Sequence, residues 1–358
     1  MPKQLIFNIQ YLRGGAALAV VVYHIYVWEM KFFPGRGVMP SLSSIGDAGV
    51  DLFFAISGFI MVYIRPANIT SFSGWRGFLS DRFSRIYPPY WLLSLALLPL
   101  WFLRPDMFNN YCGNQMDITR SFLLFPQEFT PLLPVGWTLI HEVYFYVIVS
   151  FSFFLQTRGR VIFGITWFLA VVLGFNSLAN ADGWVSPFLR MMFSPFSLTF
   201  LLGYFIGLVF PLMGKIPSVA WWSILFVALG LLILGRMQID QVGVYPDNNL
   251  WHRFFGFGIP CSLILAAAVA LQRRCAGANR ALLLVGDSSY ALYLVHLPIV
   301  AGIYALAAKL GSEAQWIILS APFLCMACCL GAAVIFHKKI ERHLIKISRA
   351  LVRRILKS

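Results

Sequence analysis

Ten apolar runs of 17–22 residues dominate this chain, at 12–33, 48–64, 87–103, 135–155, 161–178, 191–212, 219–235, 254–271, 288–308 and 315–336. Each approaches the roughly 20 residues that a helix needs to cross a hydrocarbon core. In lipid every backbone polar group must be satisfied within the protein, so only helices and closed barrels span. The runs are long and do not alternate, which excludes a barrel. Charged residues make up 12% of the 358, against about 25% in soluble domains. The expected fold is therefore all-α: a polytopic bundle of about ten transmembrane helices, with residues 1–336 as the membrane domain. The first run is long enough to span, and no small-residue cleavage site follows it, so it reads as a retained helix.

Net charge is +14. Basic residues that fix topology account for this better than nucleic-acid binding. One set of connections carries Arg65, Arg76, Arg82, Arg85, Arg158, Arg160, Lys215, Arg273, Arg274 and Arg280. The other carries most acids: Asp47, Asp106, Asp117, Glu128, Asp182, Asp240, Asp247 and Glu313. The first set is expected in the cytoplasm, with both termini, which requires an even number of spans. Residues 337–358 hold eight Lys and Arg and read as an amphipathic helix on anionic lipid. The connection 65–86, with Trp75 and Phe78, reads as an interfacial segment. The long connection 104–134 is expected to cover the outer mouth of a cavity. Cys325 and Cys328 have a redox spacing but sit in an apolar run, so they read as small core residues.

Ionisable side chains inside spans are costly and mark pathways or reactions. Arg13 and His24 are eleven residues apart, which is three helical turns plus about 20°, or roughly 16 Å along one face. A cation near one membrane surface thus shares a stripe with an imidazole near mid-depth. His24 is either a general base or a core histidine bonded between helices. Asp51 either orients His24 or caps a helix start. Arg82 and Arg85 share a helix face and suit phosphates; the alternative is a topological or headgroup role. Glu142, inside an apolar run, must be paired or neutralised and is expected to face the bundle interior. Its neighbour His141 reads as structural. Trp137, Tyr144 and His296 are candidate acceptor contacts, although His296 also fits a structural role. No nucleotide loop, His-x-x-x-His metal spacing or Gly-x-Ser-x-Gly elbow is present in the sequence.

Taken in order, these landmarks resemble one family. They are Arg13-x10-His24, Gly49-Val50-Asp51-Leu52-Phe53-Phe54 with Ser57-Gly58-Phe59, and Arg82-x-x-Arg85-Ile86-Tyr87-Pro88. Trp137-Thr138-Leu139-x-x-Glu142-x-x-Phe145-Tyr146 and Ser289-Tyr290-x-x-Tyr293-Leu294-x-His296-x-Pro298-Ile299 complete the set. The set is similar to the acyltransferase-3 family of integral-membrane enzymes that acylate sugars. The resemblance maps the family's Arg-x10-His pair onto Arg13 and His24 and its Arg-x-x-Arg onto Arg82 and Arg85, with the three arginines at the donor site. His24 is then expected to act as general base or acyl carrier, oriented by Asp51 or Glu142. The resemblance also implies acyl-coenzyme A, commonly acetyl, as a donor substrate rather than a bound cofactor, and a glycan or glycolipid acceptor. The location implied is the bacterial inner membrane. Some members append a hydrolase-like domain outside the membrane. This chain runs into its basic tail instead, so it is expected to transfer directly or to use a glycan-assembly partner. The rival readings are a glycan, lipid or small-molecule transporter or flippase, and a membrane scaffold.

Overall fold

The computed structural model describes residues 7–64, 69, 71–108, 113–180, 184–242, 250–272, 279–311 and 315–355. Among them every regular element is helical. In chain order the helices are α1 (Phe7–Phe32), α2 (Ala48–Tyr63), α3 (Phe72–Leu103), α4 (Ile118–Leu123) and α5 (Gly136–Ser152). Next come α6 (Thr157–Ala179), α7 (Pro187–Met192), α8 (Phe196–Val209), α9 (Ser218–Val242) and α10 (Leu250–Arg253). The last five are α11 (Ile259–Leu271), α12 (Arg280–Asp287), α13 (Ser289–Gly311), α14 (Gln315–Phe336) and α15 (Arg342–Ile355). Two π-helical turns, Phe254–Gly258 and His337–Glu341, join α10 to α11 and α14 to α15.

Nine of the ten apolar runs fall largely on single helices, whereas 191–212 bridges the end of α7 and α8. Among the described residues, eight helical segments are long and apolar enough to cross a membrane. The chain is thus a multi-pass helical membrane protein. Helices α1 and α5 are not among the eight. They are the two that carry Arg13, His24, His141 and Glu142, and α5 has only 17 residues.

Helix α3 begins at Phe72, within the connection 65–86, and runs for 32 residues. Ser71 caps it by accepting from Gly74 N at 3.0 Å, satisfying one of the orphan donors of a first turn. Trp75 donates to Ser150 Oγ at 2.9 Å, and Phe78 is buried, so both pack inward. Pro88 and Pro89 remove two donors from the middle of α3, a defect that neighbouring polar groups must relieve. The Tyr290 hydroxyl donates to Ile86 O at 2.8 Å beside this break.

Small residues set the closest helix approach. A Cβ on Gly58 would stand 2.0 Å from Phe200 O, and one on Gly203 would stand 1.9 Å from Ala55 O. Only glycine permits this backbone contact between α2 and α8. At one end of the bundle, Asn8 donates to Ala268 O at 2.7 Å, and Tyr11 OH accepts from Asn279 N at 2.8 Å. Arg349 and Arg353 on α15 lie 3.3 and 3.9 Å from Asp81 on α3 at the same end. The tail helix therefore docks against α3. Arg65, Cys112, Asp182, Asp247, Arg273, Arg274, Cys275 and Glu313 lie outside the described residues.

Candidate functional site

Two cavities meet inside the bundle. The first holds about 860 Å³ of atom-free space, its open mouth included. Arg13 of α1 and Arg82 and Arg85 of α3 line it, with Ser57 of α2, Glu142 and Tyr146 of α5, and Ser289 and Tyr290 of α13. The i, i+3 spacing on α3 brings both of its arginines to one wall. Glu142 accepts from Ser57 Oγ at 2.9 Å and from the Tyr146 hydroxyl. Its carboxylate is thus held by two hydroxyl donors, with no ion pair among the described residues. Arg13 donates to Gln10 Oε1 at 3.0 Å. Arg82 Nε is buried with no hydrogen-bond partner among the described residues. Three guanidinium groups thus face one carboxylate, a donor-rich surface suited to a polyanion such as a phosphate ester.

The second cavity is larger, about 1770 Å³ on the same measure. His24, Tyr23, Asp47, Trp137, His141 and Arg253 line it, with Gln127 to Pro131 and Pro134 from the long connection. That connection thus forms part of the cavity's lining. Val50 and Tyr293 line both cavities. The phenol of Tyr293 is 2.8 Å from Thr138 Oγ1.

The His24 ring can be assigned a tautomer from its neighbours. Nδ1 lies 2.9 Å from Val20 O. A carbonyl only accepts, so Nδ1 carries a hydrogen, and in the neutral ring Nε2 keeps the lone pair. Behind it stands His296, 0% exposed, with Nδ1 at 2.7 Å from Tyr293 O. The same argument leaves His296 Nε2 as an acceptor, and it lies 3.3 Å from His24 Nδ1. With both rings neutral, His24 Nε2 can accept a proton from a molecule in the second cavity, which His24 lines. This is the geometry of a general base.

The structure brings Arg13, Arg82, Arg85 and Glu142 together, and separately His24 and Trp137. Three expected site residues stand elsewhere. Asp51, expected to orient His24 or meet the acceptor, is 1% exposed and takes Arg253 Nε at 3.0 Å and Nη2 at 2.9 Å. A carboxylate in so apolar a place needs a cation more than it needs an imidazole. His296 lines neither cavity and contacts His24 instead. Tyr144 lines neither cavity; it donates to Met192 O at 3.3 Å and packs edge-on against Trp167.

Sequence reasoning missed Arg253, 8% exposed, which also binds Asp47. The signal was available. Asp47 and Asp51 are four residues apart at a helix start, and two such carboxylates require a cation from another helix. His141, read as structural, lines the second cavity, and its Nδ1 has no partner among the described residues. Glu29, 0% exposed, accepts from Met39 N at 2.8 Å and serves the fold at the other end of α1.

Comparison with known proteins gives the fold and cavities a context. A profile for an acyltransferase domain matches residues 6–337. The exopolysaccharide production protein ExoZ of Rhizobium meliloti is 30% identical, with 86% of this chain and 92% of that protein covered. The acyltransferase MdmB of Streptomyces mycarofaciens is 24% identical over 94% of this chain and 90% of its own length. The O-acetyltransferase OatA of Staphylococcus aureus is 22% identical over 81% of this chain and 49% of its own length. No solved structure matches the chain. With a family profile spanning nearly its whole length, the chain belongs to the acyltransferase-3 family of membrane proteins.

Proposed function

We propose that the protein transfers an acyl group, acetyl in the simplest case, from acyl-coenzyme A to a sugar hydroxyl of a cell-surface glycan or glycolipid. The single observation that carries this reading is the pair of adjoining cavities, one cationic and one holding His24. Arg13, Arg82 and Arg85 bind the phosphates of the donor. The thioester points inward toward Tyr293. Positive charge at the Arg13 end argues that this cavity opens to the cytoplasm and the His24 cavity to the far side of a bacterial inner membrane. The same argument assigns residues 337–358 to a cytoplasmic tail.

The acceptor occupies the second cavity, where Trp137 offers a ring for a sugar face. His24 Nε2 takes the hydroxyl proton. The acceptor oxygen bonds to the thioester carbon, the carbon–sulfur bond breaks, and the proton returns from His24 to the coenzyme A sulfur. His296 acts through His24 as a positioning residue. Glu142, tied to Ser57 and Tyr146, shapes the donor cavity. The name of the exopolysaccharide relative and that of the O-acetyltransferase relative support a glycan acceptor and an acetyl donor.

General-base action contributes about 10²–10⁴-fold. His24→Ala should therefore abolish detectable transfer of radiolabelled acetyl to polysaccharide in membranes while the protein still inserts and binds coenzyme A. Wild-type turnover in that variant would refute the assignment. Movement of a glycan or lipid across the bilayer by purified protein, with no release of coenzyme A, would favour a transporter instead.

A further inference from the structure

Val50 and Tyr293 line both cavities and so lie at their shared boundary. Tyr293 is held from several sides. Its phenol bonds to Thr138 Oγ1 at 2.8 Å, its ring packs edge-on against Phe53 at 5.9 Å, and its carbonyl accepts from His296 at 2.7 Å. Val50 is buried on the facing helix α2. A side chain restrained in this way does not drift with thermal motion as a surface residue does.

This arrangement matters because of how a thioester must enter. Phosphates held by Arg82 and Arg85 leave the acyl end leading. Every carbon beyond the thioester carbonyl meets the Val50–Tyr293 barrier before the carbonyl does. The reacting atoms must come within about 3–3.5 Å of one another, and the base lies on the far side of the barrier. A short acyl group needs little space there. A longer one must thread the barrier and then intrude on the acceptor. We propose that Val50 and Tyr293, latched by Thr138, form the septum between donor and acceptor cavities and select the acyl group by length. The proposal rests on the acyl-transfer reading given above.

Discrimination by one methylene in an apolar pocket is about 10–200-fold. Val50→Ala widens the septum directly. Tyr293→Phe keeps the ring and removes the latch, with less risk to folding. The experiment uses membranes from source cells deleted for the chromosomal copy and supplied with each form of the full chain. Radiolabelled acetyl-, butyryl- and hexanoyl-coenzyme A are given, and label in polysaccharide and glycolipid is measured above the deletion background. The expected result is a rise of about tenfold or more in the butyryl-to-acetyl rate ratio for Val50→Ala, and a smaller rise for Tyr293→Phe. A loss of packing alone would lower all three rates together and leave the ratio unchanged.

An unchanged ratio in both variants, with acetyl transfer still measurable, overturns the septum. Wild-type membranes that label nothing with any of the three donors overturn the acyl-transfer reading itself, and the septum with it.

Discussion

Replacing Asp51 by Asn removes the charge from a carboxylate that is 1% exposed and that meets Arg253 at 3.0 and 2.9 Å. Arg253 keeps Asp47, so it is not left without a counter-charge. Breaking a buried ion pair costs about 3–5 kcal/mol, and the retained Asp47 contact argues for the low end. At roughly 2–4 °C per kcal/mol, a loss of about 3 kcal/mol lowers Tm by about 6–12 °C. Arg253→Gln should cost more, because it leaves two buried carboxylates facing each other. The double variant Asp51→Asn with Arg253→Gln should then be no less stable than Arg253→Gln alone, since the shared interaction is already gone. Thermal unfolding in one detergent at fixed salt measures all four forms. Acyl transfer is assayed in parallel, well below the transition. The account predicts that Asp51→Asn keeps much of its turnover when cold. A wild-type Tm combined with lost turnover would refute it and assign Asp51 to the reaction.

Other outcomes follow from the same geometry. Arg82→Ala and Arg85→Ala each remove a charge-assisted contact worth about 1.5–3 kcal/mol, so donor KM should rise about tenfold or more while acceptor KM holds; equal rises for both substrates would argue for a structural role. His296→Leu frees the His24 ring to turn, and kcat should fall by about tenfold or more, a part of the 10²–10⁴ that a base supplies. Steady-state kinetics with unchanged KM values would mark that loss as one of positioning. Gly58→Ala would drive a Cβ to 2.0 Å from Phe200 O, and overpacking of about 1–3 kcal/mol or more should appear as a lower Tm and poor yield.

Much of this molecule is legible in its sequence because lipid imposes so strict a code. The apolar runs fall largely on helices, and the Arg13–His24 stripe, with Arg82, Arg85 and Glu142, lines the cavities. The failures have physical causes. Spacing along one helix says nothing about which residue of another helix meets it. The expectation for Asp51 was therefore left between His24, the acceptor and a helix-start role, and its partner, Arg253 at the end of α10, was not foreseen. His296 was legible as an intramembrane imidazole, but its contact with His24 depends on how α1 and α13 pack. Tyr293 carried no charge to flag it, and its position between two cavities is a property of the assembled bundle alone.

The central claim is that an acyl group passes from one face of the membrane to a hydroxyl presented at the other. Protein reconstituted in sealed vesicles, with one orientation selected by protease access to the α15 end, tests it most directly. Radiolabelled acetyl-coenzyme A is supplied only on the α15 side, and acceptor polysaccharide from cells lacking the protein is sealed on the opposite side. The account predicts free coenzyme A on the side of addition and labelled glycan on the other, both absent with His24→Ala. Label confined to glycan on the donor side, or transfer that persists without the His24 imidazole, would contradict it.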